Sequence, residues 1–274
     1  NIAYTAAPIG LLAIGLALVM STGGIDLSVG AILSLCACVT GWMISHGQAT
    51  GLAVVVGLLI GAGCGEANGT LVGVLALPSI TVTLGSMALI GGIALAITDG
   101  QPITVNFFGS LFTAGFGVVL AVGMVLVALA GWVVLSFTPL STMLANRDWD
   151  TAARSSGPQV RPGLIPIYAI AGLLAAAAGL ITIGRLQVAD PLSGSYTLIT
   201  AISAAVIAGA GLLRNGPFSL PRAALGALLV SALVNELDLA GVSFLWQQVA
   251  MGAVILCALL IDGIAQCFVD APWL

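Results

Sequence analysis

Apolar runs close to the length needed to cross a bilayer recur along the whole chain. They fall at roughly 4–20, 26–45, 51–75, 78–97, 116–137, 164–183, 197–213, 222–239 and 245–265. A membrane-spanning helix needs about 20 predominantly apolar residues. Backbone groups in lipid must bond within the protein, so these runs are expected to be helices. The alternating pattern of a barrel strand is missing. Only 6% of the 274 residues are charged and 60% are hydrophobic. An ordinary soluble domain has about 25% charged residues, which argues against a soluble α/β enzyme with a large core. The sequence predicts an all-α, polytopic transmembrane helix bundle of about nine helices, one domain over 1–274.

The charges orient the bundle. There is no lysine, and all six basic residues are arginines lying between Arg147 and Arg222. Arg147, Arg154 and Arg161 share the polar stretch 138–163, which the positive-inside rule places in the cytoplasm. Counting outward puts 98–115 and 184–196 on the external side, and the turn with Arg214 and Arg222 inside. Asn1 then falls outside, which suits one earlier span and ten helices in the whole protein. There is no basic stripe or tail, so nucleic acid is not expected as a partner. The expected surroundings are membrane lipid.

Polar residues inside the runs mark the candidate site. Residues 21–30 read Ser-Thr-Gly-Gly-Ile-Asp-Leu-Ser-Val-Gly, and Asp26 is the first charged side chain in the chain. A carboxylate at membrane depth costs about 2.5–3.5 kcal/mol on insertion scales. Gly23 and Gly24 end one helix, and Asp26 or Ser28 can cap the next by accepting its free N–H groups. A structural cap and a place on a solute path are compatible readings, because broken helices in transporters put polar groups where a solute passes. Glu66 and Asn68 form a second intramembrane polar pair. Asn68 can bond a neighbouring helix. Glu66, with no cation near it in sequence, is expected to be protonated, capped by a distant group or facing a cavity. Around it Gly57, Gly61, Gly65, Gly69 and Gly73 recur every four residues. Such a ridge admits close helix approach, as tight packing or as a sliding surface.

Enzyme chemistry finds little support. His46 is the single histidine, and it sits at the end of a run, where an interfacial polar residue is the simpler reading. No nucleophile-elbow or metalloprotease motif is present. A phosphate-binding P-loop needs a lysine, which the chain lacks, so ATP-driven work would belong to a partner subunit. The five cysteines lie in or beside apolar runs without framework or metal-site spacing. No cofactor or metal is expected in this chain.

Two polar segments offer surfaces to partners. Residues 146–157 read as a short surface helix, with Asn146 or Asp148 at its start and Gly157-Pro158 at its end. It is either an interfacial helix anchored by Trp149 or a docking element for a soluble partner. On the external side Thr98-Asp99-Gly100-Gln101-Pro102 reads as a turn.

The block Thr22-Gly23-Gly24-Ile25-Asp26-Leu27-Ser28-Val29-Gly30 resembles the signature of the permease subunits of ribose-type bacterial ABC importers. The resemblance continues through Asn68-Gly69, Val82-Thr83-Leu84-Gly85 and Gly100-Gln101-Pro102-Ile103. It includes Ala152-Ala153-Arg154 with Ser156-Gly157, and ends in Gly241-Val242-Ser243 with Trp246-Gln247-Gln248. It implies a multi-pass inner-membrane subunit that pairs with a second permease subunit as a homo- or heterodimer. It also implies work with a cytosolic ABC ATPase and solute delivered by a periplasmic solute-binding protein. Sugars are the implied solutes, with nucleosides and a furanosyl signalling molecule in related branches. Gly23, Gly24, Asp26, Ser28, Glu66 and Asn68 are then expected along the translocation pathway. Arg147, Asp148, Ala152, Ala153, Arg154, Ser156 and Gly157 are expected to couple to the ATPase. The chain departs from the family at 210–218, where Gly-Gly pairs are usual, and at Gly91 or Gly92, where an arginine is common. It departs again at Glu66, where an apolar residue is usual, and the resemblance implies one further membrane helix ahead of Asn1. Two alternatives stay open: a self-sufficient secondary transporter using Asp26 and Glu66, and a non-transporting membrane scaffold subunit.

Overall fold

The computed structural model describes residues 2–105, 123, 124, 126, 161–207 and 220–269. Its helices are α1 (Ile2–Ser21), α2 (Val29–Ser45), α3 (Thr50–Gly73), α4 (Ser79–Ile97), α5 (Leu164–Leu186), α6 (Ser193–Ile207), α7 (Leu220–Leu239) and α8 (Phe244–Val269). Two short strands, β1 (Ile103–Thr104) and β2 (Val188–Ala189), and a 3-10 turn at Arg161–Gly163 complete the described elements. By length and composition, α1, α3, α4, α5 and Phe244–Ile261 of α8 can cross a membrane, while α2 and α6 are shorter apolar helices. The expected helical bundle is therefore present. The expected segment 116–137 lies outside the described residues except for Gly123, Met124 and Leu126, which are helical.

The helix order follows from which faces are small and which are bulky. α1 runs through the interior, buried from Ala6 to Val19, and packs on α5, α7 and α6. α5 is the second axis, touching α3, α1 and α2. The glycine ridge of α3 explains how close it comes to α5. A Cβ at Gly61 would meet Ala176 and the Gly172 carbonyl, at Gly65 the Tyr168 carbonyl, and at Gly69 the Ile165 backbone. Gly57 faces Thr40 and Leu180. The two helices thus run antiparallel at backbone contact, and the ridge is a packing seam. The opposite faces of α3 and α4, and most of α8, turn leucines outward; Leu59, Leu89 and Leu245 are all exposed. Such a surface is at home in lipid, where apolar side chains need no cover.

The two loops expected on one side do meet. β1 pairs with β2 antiparallel, Ile103 opposite Ala189 and Thr104 opposite Val188, and Val105 N–H donates to the Gln187 carbonyl at 2.8 Å. The turn at 98–101 forms as expected, with Asp99 and Gly100 at positive φ.

The start of α6 differs from expectation. The stretch 184–196 was expected as an external loop, but α6 begins at Ser193 inside the bundle. Gly41 of α2 packs on Ala189 and Val105, whereas Gly30 packs on Gly194. Those two glycines stand about 16 Å apart along α2 at 1.5 Å per residue, so the chain descends most of that distance between Ala189 and Gly194. Its backbone is satisfied locally on the way. Asp190 Oδ1 accepts from Leu192 N–H at 2.9 Å, the Asp190 carbonyl accepts from Ser193 N–H at 3.2 Å, and Ser34 Oγ accepts from Gly194 N–H at 2.8 Å.

A pair of alanine substitutions tests the α3–α5 seam. Gly65→Ala drives a methyl into the Tyr168 backbone and is expected to cost about 1–3 kcal/mol. Gly63→Ala meets open space and is expected to leave stability unchanged or slightly raised. Unfolding midpoints of the detergent-solubilised protein check both; equal midpoints would contradict the seam.

Candidate functional site

The site is the break between α1 and α2. α1 ends on its own hydroxyls: Ser21 Oγ donates to the Leu18 carbonyl at 2.5 Å and Thr22 Oγ1 to the Val19 carbonyl at 2.6 Å. Gly23 then turns at φ 77°, with its N–H on the Met20 carbonyl. This left-handed geometry is why a glycine stands there. Gly24 follows for lack of room, because a Cβ would lie 2.7 Å from the Tyr168 hydroxyl and 3.2 Å from Val19 Cγ1.

Beyond the glycines the backbone runs without helical bonds, and α4 supplies substitutes. Ile25 N–H donates to Ser79 Oγ at 3.2 Å, and Thr83 Oγ1 donates to the Ile25 carbonyl at 3.0 Å. An irregular segment persists at membrane depth only with such partners. Asp26, fully buried, closes the segment. Its Oδ1 accepts from Ser28 N–H at 2.9 Å and from Ser28 Oγ at 2.6 Å. Ser28 Oγ in turn accepts from Asn68 Nδ2 at 2.8 Å, and Asn68 Oδ1 accepts from Ser86 Oγ. The directions are mutually determined. The Ser28 proton is committed to Asp26, so only the amide nitrogen of Asn68 can face Ser28, which leaves its oxygen for Ser86. One polar chain thus links the break to α3 and α4.

The capping expectation is corrected in detail. The second helix begins at Val29 rather than near 26, and Ser28 makes no side-chain cap, because its hydroxyl is spent on Asp26 and Asn68. The carboxylate engages the N–H one residue before the helix instead. Asp26 Oδ2, beside this network, has no hydrogen-bond partner among the described residues.

The structure brings Gly23, Gly24, Asp26, Ser28 and Asn68 together. It sets Glu66 apart, exposed on the outward face of α3, where two residues of helix turn it about 200° from Asn68. Asp26 and Glu66 therefore do not form a pair within the described chain. Sequence reasoning missed Ser79, Ser86 and Tyr168 and gave Thr83 no role. Three of them carried a signal, since Ser79, Thr83 and Ser86 fall at i, i+4 and i+7 on one face of an otherwise apolar helix. Arg147, Asp148, Ala152, Ala153, Arg154, Ser156 and Gly157 lie outside the described residues, as does the departure at 210–218. His46 sits exposed at the end of α2, its ring 4.3 Å from that of Trp42 and its Nδ1 2.8 Å from the Trp42 carbonyl, as an interfacial residue would.

Comparison with known proteins decides the family. Residues 1–259 match the family described as the branched-chain amino acid transport system / permease component. The chain belongs to this family. The ribose import permease protein of Bacillus subtilis (strain 168) is 39% identical over 260 residues, covering 92% of this chain and 80% of that protein. The ribose import permease protein of Escherichia coli (strain K12) is 34% identical over 265 residues, covering 93% of this chain and 82% of its own. The fructose import permease protein of Rhizobium meliloti is 35% identical, covering 93% and 74%. No solved structure matches the chain. The chain is thus a multi-pass inner-membrane permease subunit of the ABC-importer class. Members of that class work, in general, with an ATPase and a substrate-binding protein.

Within this permease the polar chain is expected to act as a unit. Asn68→Ala strands the Ser28 oxygen and the Ser86 proton together and should destabilise by about 1–2 kcal/mol. Combined with Ser28→Ala, the two losses should be less than additive. A double-mutant cycle on unfolding in detergent checks this; full additivity would contradict the linkage. Gly24→Ala should also destabilise, and Tyr168→Phe, which removes the contacted oxygen, should recover part of the loss.

Proposed function

We propose that this permease imports a monosaccharide by alternating access, driven by ATP hydrolysis on a separate cytosolic partner. The observation that carries the reading is the match over more than nine-tenths of the chain to import permeases named for ribose and fructose. The galactofuranose transporter permease of Escherichia coli (strain K12), 33% identical over 96% of the chain, points the same way. The family description names branched-chain amino acids instead. The individual relatives are the narrower guide, because each is matched along most of its own length.

The mechanism assigns each region a part. With 138–163 in the cytoplasm, the α1–α2 break lies toward the inner end of the bundle and the β1–β2 pair at the outer end. Arg147, Asp148, Ala152, Ala153, Arg154, Ser156 and Gly157 receive the ATPase, and its closure tilts the helices. The chain from Asp26 through Ser28 and Asn68 to Ser86 makes α2, α3 and α4 move together. Gly23, Gly24, Asp26, Ser28 and Asn68 border the inner part of the solute path. The exposed apolar faces of α3, α4 and α8 serve lipid and a second permease subunit, and a periplasmic solute-binding protein delivers the sugar at the outer end.

Reconstitution of the permease with its ATPase and solute-binding protein in vesicles should give ATP-dependent uptake of labelled ribose or fructose. Proton-gradient-driven uptake by the purified chain alone would establish the secondary-transporter reading instead. Partner binding without any solute flux would establish the scaffold reading. Arg154→Glu should cut uptake per ATP hydrolysed by about tenfold or more. Normal coupling in that variant would remove the docking role from 146–157.

A further inference from the structure

At the end of the bundle opposite Asp26, a cavity of about 270 Å³ opens between the first turns of α1, α6 and α8 and the last turns of α5 and α7. The descent of the chain into α6 makes room for it. Its volume falls just below the usual range of ligand sites, about 300–1,000 Å³, which suits a compact solute.

Four lining hydroxyls spend their protons on backbone carbonyls: Thr182 on Ala178 at 2.8 Å, Ser193 on Asp190 at 2.8 Å, Thr197 on Ser193 at 2.8 Å and Thr200 on Tyr196 at 3.3 Å. What each hydroxyl has left is oxygen lone pairs. Gln248 adds an enclosed Oε1 with no partner among the described residues. These groups offer acceptors and Arg185 offers donors, so a matching ligand both donates and accepts, as sugar hydroxyls do. One arginine, Arg185, and one aspartate, Asp190, line the cavity, so their charges balance and the wall favours neither anion nor cation. Asp190 is partly engaged already, its Oδ1 accepting from Leu192 N–H at 2.9 Å. Two aromatic rings, Tyr196 and Phe244, meet edge-on with centroids 4.9 Å apart, and both are about half exposed. Their free faces offer an apolar platform for the C–H side of a sugar ring. The start of α8 is held in place by Gln247, whose Nε2 donates to Asp238 Oδ1 at 2.6 Å and to the Val242 carbonyl at 2.9 Å.

We infer that this cavity is a solute-binding site of the permease, built for a neutral polyhydroxylated molecule of monosaccharide size that donates its hydroxyl protons to the wall formed by Thr182, Thr197, Thr200 and Gln248. The inference rests on the sugar-import reading and adds where on the chain the solute is held.

The test uses the complete importer in vesicles, with saturating solute-binding protein and labelled ribose, fructose and leucine as probes. The triple variant Thr197→Val, Thr200→Val, Gln248→Leu should lower sugar moved per ATP hydrolysed by about tenfold. Hydrolysis stimulated by the solute-binding protein should persist, since none of the three residues belongs to the stretch 146–157 proposed to meet the ATPase. Thr197→Ser and Thr200→Ser should restore uptake. A second readout does not depend on transport. Thr197→Cys should react with a membrane-impermeant methanethiosulfonate added outside, read at that position by mass spectrometry, and the transported sugar should slow the reaction severalfold. Sugar uptake untouched by the triple variant, or labelling of Thr197→Cys that sugar does not slow, would overturn the site while leaving the import reading intact. Uptake of leucine and of neither sugar by the unaltered complex would overturn both.

Discussion

The structure depends on one requirement of the lipid environment: a backbone that leaves its helix must find other partners inside the protein. Residues 23–27 leave theirs between α1 and α2. Ser79 and Thr83 of α4 take over at Ile25, and Asp26 closes the next N–H at Ser28. Because those partners come from another helix, the break also fixes where α4 sits. Because the Ser28 hydroxyl then reaches Asn68, it fixes α3 as well. A break that would otherwise be a weakness thus becomes the joint at which three helices are referenced to one another.

The second source of order is absence of bulk. α3 meets α5 through glycines, and Gly179 of α5 comes equally close to the Leu33 carbonyl of α2. Without a hydrophobic driving force between helices in lipid, close van der Waals contact does the work that water exclusion does in soluble cores. The polar joint and the small-residue seams are complementary. The first sets register at one end, and the second holds the helices along their length.

Much of this was legible in the sequence, for physical reasons that can be named. Helices were readable because length and composition alone dictate them in lipid. The break at Gly23-Gly24 was readable because two glycines and a carboxylate have no business inside an apolar run otherwise. The partners of the break were harder. Ser79, Thr83 and Ser86 are small hydroxyl residues that a membrane helix carries without remark, and only their shared face betrays them. Tyr168 stands some 140 residues from Gly24 in the chain, and nothing local announces that contact. Glu66 was grouped with Asn68 by proximity in sequence, yet helical rotation sends the two side chains to opposite faces. The early start of α6 was hidden because a descent into the bundle uses the same Asp, Ser and Gly residues as an external turn.

That descent shapes the protein's interior. A helix occupying the full depth would plug the space between α1, α5, α7 and α8 with its own cylinder. By starting low, α6 leaves its upper berth vacant, lined by its own first turns and by side chains of its neighbours. The hollow is thus an architectural by-product of a shortened rod, and its size is set by how far down that rod begins.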